Sequence, residues 1–130
     1  MIINYPPLSE EDFLRKYLEI TNTLLPIEQR ISAGEIDYVV ATTLLPEEKY
    51  KYQRFTIHAK RKVAQQLNPI PTVTNLNNRI HSLTHKSFLR KDEDKVLYLP
   101  THLLKALQEF REGKTTDITF RFTNDSFKDK

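Results

Sequence analysis

The chain has 130 residues, 38% of them hydrophobic and 28% charged, the balance of a single globular domain that buries its core without metals or cross-links. Cys is absent, which excludes a disulfide framework and thiolate metal sites and leaves an intracellular, cytoplasmic protein as the expectation. No basic-then-apolar leader opens the chain and nowhere do about 18 uncharged apolar residues run together, so neither a signal peptide nor a membrane span is expected.

The net charge of +3 conceals an asymmetry along the chain. Residues 1–50 sum to −5 and residues 92–130 to −1, whereas residues 51–91 carry nine Lys and Arg and no acid, for +9. A basic window free of acid suits a polyanionic partner. The alternative is that it packs against the acidic first helix.

Ser9 before Glu10, Glu11 and Asp12 predicts a helix start, because the Ser oxygen accepts an orphan N–H and the acids face the positive end of the helix dipole. The first helix runs to about Asn22, with Phe13, Leu14, Tyr17, Leu18, Leu24 and Leu25 on one side. Ser32-x-x-Glu35 is a capping box that opens a second helix through Ile36, Val39, Val40 and Leu44, ended by Pro46. Residues 46–54 have no apolar period and are expected to form a polar loop. Thr56 caps a third helix, Ile57 to Leu67, whose Ala59, Val63 and Leu67 lie opposite His58, Arg61, Lys62 and Gln65.

Asn68-Pro69-Ile70-Pro71 forces a turn, after which Thr72 caps a fourth helix. There Val73, Leu76, Ile80 and Leu83 form the apolar stripe. Thr74, Asn75, Asn78, Ser82 and His85 point the other way, and Asn77 and Arg79 lie on the flanks. Asn is a poor helix former, so three Asn within four positions suggest a task beyond solubility. The period then becomes that of strands: Phe88–Arg90 and Val96–Leu99 make a hairpin about the charged turn 91–95. Pro100 and Thr101 open a fifth helix through Leu103, Leu104, Leu107 and Phe110, with Gly113 as its C-cap. A final strand, Asp117 to Thr123, aligns Ile118, Phe120 and Phe122 on one face.

The expected organisation is one domain over 1–130: helical support at 8–45, a core at 55–100, a helix and strand at 101–123, and a polar tail at 124–130. Its fold class is mainly α with a small β-hairpin wing (α+β), a winged helix-turn-helix. Residues 55–67, FTIHAKRKVAQQL, through residues 83–98, LTHKSFLRKDEDKVLY, resemble the MarR-type version of that fold, with Ser87 where the family has Gly. The overall look is also similar to that of small tailed-bacteriophage proteins.

The resemblance implies that the fourth helix enters the major groove of double-stranded DNA and that the hairpin meets its backbone. Thr74, Asn75, Asn78, Arg79 and Ser82 are then the candidate base readers. Thr72, Lys60, Arg61, Lys62, His85, Lys86, Arg90 and Lys91 are the candidate phosphate contacts.

Other chemistries lack support. Gly34 and Gly113 are the only glycines and neither begins a phosphate loop. His81 and His85 have metal-pair spacing without a third ligand and read as surface donors. Asp92, Glu93 and Asp94 read as a solvated turn. No motif assembles a nucleophile, base and orienter, so no catalytic residue, metal or cofactor is expected. The preferred reading is a non-enzymatic DNA-binding regulator or accessory factor. The alternative is a structural or assembly protein, such as a phage virion or connector component. It would offer strand 117–123 to a second copy or another protein.

Overall fold

The computed structural model describes residues 8–51 and 53–118, which fold mainly as helix with a small two-stranded sheet. In chain order these are α1 (Glu10–Asn22), α2 (Ala33–Thr43), α3 (Glu47–Tyr50), α4 (Ile57–Ala64), α5 (Val73–His85), β1 (Arg90–Lys91), β2 (Leu97–Tyr98) and α6 (Thr101–Arg111). Among the described residues no helix is long and apolar enough to cross a membrane.

Four helices start on the caps that the sequence predicts. Ser9, Ser32, Thr56 and Thr72 each accept the backbone N–H three residues on, at 3.1–3.3 Å, and Glu35 completes its box by accepting the Ser32 N–H at 2.8 Å. Each bond satisfies one of the donors that a helix start leaves over.

The layout is built around α2, which packs against α1, α4 and α5, while α6 packs on α1. Buried side chains occur all round α2: Ile36, Tyr38, Val39, Val40, Ala41, Thr42 and Thr43, together with Glu35. A helix buried over most of its circumference belongs in a core. Leu14 and Leu18 of α1, Ala59 and Val63 of α4, Leu76, Ile80 and Leu83 of α5 and Leu103 and Leu107 of α6 join it in one cluster.

Several expectations are corrected. Residues 46–54 are not simply a polar loop: Pro46 presets the backbone for α3, and Tyr50 is buried there, stacked on His58. The third helix stops at Ala64, and three-residue bonds from Gln66 to Val63 and Leu67 to Ala64 tighten its exit before the Asn68–Pro69 turn. Val73, in the first turn of α5, is 58% exposed, whereas Leu76 and Ile80 further along the same stripe are buried. Leu24, just past α1, is exposed as well.

The hairpin is antiparallel with Arg90 opposite Tyr98 and Lys91 opposite Leu97, shorter than the apolar runs suggest. Leu89 and Leu99 beside it are buried anchors instead of ladder residues. Asp92 organises the turn by accepting the Val96 N–H and the Tyr98 hydroxyl, both at 2.9 Å. Residues 119–123 of the expected last strand, with Phe120 and Phe122, and the tail 124–130 lie outside the described residues. Asp117 and Ile118 have no regular structure, although Ile118 packs on the core.

Helices α5 and α6 end in the same way. Phe88 and Ser87 donate back to Leu83 and Thr84, and Lys114 and Gly113 to Glu109 and Phe110, the paired bonds of a Schellman ending. The left-handed residue is Gly113 in one case (φ 73°) and Ser87 in the other (φ 63°). A Cβ in that conformation is strained. Ser87→Gly is therefore expected to raise the free energy of unfolding by about 0.5–1 kcal/mol, and Gly113→Ala to lower it by a similar amount, in urea melts.

Candidate nucleic-acid interface

The outward side of α5 follows from its inward one. With Leu76, Ile80 and Leu83 buried, a repeat of 3.6 residues turns Thr74, Asn78, His81 and His85 to the opposite face. Thr74, Asn75, Asn77, Asn78, His81 and His85 are all exposed. The face carries amide, hydroxyl and imidazole groups and no carboxylate, so nothing on it repels phosphate. His81 belongs to this stripe, and its position one turn before His85 is the signal that marks it. Thr72 caps the helix and its hydroxyl already accepts the Asn75 N–H.

Helix α4 lies alongside. Lys60 Nζ donates to Asn77 Oδ1 at 2.9 Å, which ties the basic side of α4 to the outer side of α5. Arg61 and Lys62 are exposed on α4, and Arg90 and Lys91 on β1. Arg90 also lines a cleft of about 320 Å³ with His102 and the end of α1. Burial first and then the Arg90 charge hold the His102 imidazole below its ordinary pKa, and its Nδ1 lies 2.8 Å from the Tyr17 hydroxyl.

Three of the candidate residues face inward. Arg79 is half-buried and its Nη1 donates to the Gly34 carbonyl at 3.2 Å, in the first turn of α2. Lys86, which caps α5, pairs at 2.6 Å with Glu35, a residue only 4% exposed. Ser82 is half-buried on the same side. These groups orient α5 before they can do anything else.

Burial alone would push the Glu35 carboxyl up, but hydrogen bonds from Lys86, Ser32 and Ser82 outweigh it and keep the group below its ordinary pKa. A depressed carboxylate stabilises the fold above its unfolded pKa of about 4.3, and that contribution is lost as pH falls through the folded value. Lys86→Met, which strands a buried charge, is expected to cost about 3 kcal/mol at neutral pH. In denaturant melts across pH, the gap between variant and wild type should narrow on acidification as Glu35 becomes protonated.

Among the described residues no group of three or more His, Asp or Glu side chains is placed to hold a metal ion. Comparison with protein-family models, characterised proteins and solved structures finds no match to this chain.

Proposed function

We propose that this is a non-enzymatic protein that binds double-stranded DNA through a winged helix-turn-helix, as a transcriptional regulator or accessory factor. In this reading α4 and α5 are the helix-turn-helix, α5 lies in the major groove, and the β1–β2 hairpin is the wing. The observation that carries it is the outward face of α5, polar and free of acid, joined to the basic side of α4 through Lys60 and Asn77.

Lys60, Arg61, Lys62, Arg90 and Lys91 then neutralise phosphates, while Thr74, Asn75 and Asn78 reach base edges, with Asn suited to a bidentate pair on adenine. Arg79, Ser82 and Lys86 act on DNA only through the orientation of α5. Arg90 and Lys91 serve from the base of the wing, since Asp92, Glu93 and Asp94 at its tip oppose phosphate.

Fluorescence anisotropy with duplex DNA over a salt series tests this directly. Five phosphate contacts predict a log–log slope of about −4.5, and Arg61→Gln with Lys62→Gln should flatten it by about 2. Absence of salt-sensitive affinity for any duplex overturns the reading. In a selection from randomised duplexes, Asn78→Ala should relax the preference at one base pair by about 1–3 kcal/mol while leaving the salt slope unchanged.

A second reading has its own observation. Ile57, Ile70 and Val73 are 67%, 70% and 58% exposed, apolar groups at the start of α4, in the α4–α5 turn and at the start of α5. They suit a protein that docks other proteins in an assembly. Replacing Ile70 and Val73 with Ser discriminates: DNA affinity survives largely intact under the first reading, whereas a protein assembly is lost under the second.

A further inference from the structure

Arg54 is the most deeply buried cation of the basic window, at 7% exposure, and it has no carboxylate partner among the described residues. Its Nη1 donates to the carbonyls of Thr42 and Thr43 at 3.0 and 3.3 Å, the last turn of α2, where a cation offsets the negative end of the helix dipole. That accounts for one nitrogen. Nε and Nη2 have no hydrogen-bond partner among the described residues.

The Arg54 side chain lines a cleft of about 580 Å³ between the end of α2, α3 and α6, a size within the usual range for small-molecule sites. Lys105, Gln108 and Arg111 of α6 line it too, facing Glu47 as the one carboxylate, and Leu104 supplies an apolar wall. Arg111 is already engaged by Glu10 at 2.6 Å, which leaves Arg54 and Lys105 as the anchors. Burial, opposed by Glu47 and reinforced by Arg111, holds the Arg54 guanidinium below its ordinary pKa. A ligand that brings negative charge relieves that burden.

We infer that this cleft binds a small oxyanion, a carboxylate or phosphate group on a compact molecule with an apolar part, seated between the Arg54 guanidinium and Lys105. A planar guanidinium with two open donors matches the paired oxygens of such a group. The site stands apart from the outward face of α5 and does not depend on DNA being the partner there.

The test is a titration of the full chain, followed by amide NMR, with inorganic phosphate in one arm and succinate in the other, at constant ionic strength set with chloride. Saturable shifts at Arg54, Lys105 and Gln108 in the phosphate arm identify a phosphate site, and in the succinate arm a carboxylate site. Lys105→Gln, an exposed substitution that leaves the core intact, should weaken that binding about threefold to tenfold without changing the melting temperature of the unliganded chain. No saturable shift in either arm up to tens of millimolar, shifts confined to Lys60, Arg61 and Lys62, or unchanged affinity in Lys105→Gln overturns the inference.

Discussion

Helix α2 turns only Asp37 and its first residues toward water. Eight of its 11 residues are buried, and a helix in that position cannot leave the polar groups at its ends to solvent. The N-terminus is closed by the Ser32–Glu35 box, and the buried Glu35 that closes it must itself be neutralised, which Lys86 does from the end of α5. Arg79 holds the Gly34 carbonyl two helical turns earlier on α5. The C-terminus is closed by Arg54. Satisfying one central helix therefore fixes the positions of the segment before α4 and of the whole of α5.

This constraint changes the meaning of the charge asymmetry. Of the nine cations in residues 51–91, Arg54, Arg79 and Lys86 serve α2. Among the described residues the acids of α1 pair elsewhere: Glu10 with Arg111 of α6, Glu11 with Arg15, and Glu19 with Lys16. Pairing with the acids of the first helix therefore does not account for Lys60, Arg61, Lys62, Arg90 or Lys91. What remains exposed on α4 and β1 is a smaller basic surface than the composition suggests, and one better defined.

The helix starts were legible because their chemistry is local: Ser9, Ser32, Thr56 and Thr72 each find a partner three residues away. The turn at 68–71, the hairpin and the outward side of α5 were legible for the same reason, since period and side-chain type determine them. Contacts between segments far apart were not. Arg79 meets Gly34 across 45 residues and Lys86 meets Glu35 across 51. Nothing in a basic residue on a polar flank distinguishes one that folds inward from one that faces solvent. The exposure of Val73 was hidden in a different way, because periodicity gives the side of a helix that is apolar and not which of its positions a neighbour covers. Arg54 combined both difficulties: it lay in a stretch without apolar period, and its partners are backbone carbonyls.

Arg79 and Lys86 stand seven residues apart on α5, two turns along one flank, and each grips the same neighbouring helix. Thr74, Asn78, His81 and His85, on the outward face, make no side-chain hydrogen bond among the described residues. Rotation of the helix and identity of its outer face are thereby assigned to different residues. Under the proposed reading, substitutions at those four positions change the chemistry that the surface offers while the two anchors keep it presented at the same angle, at little cost to folding.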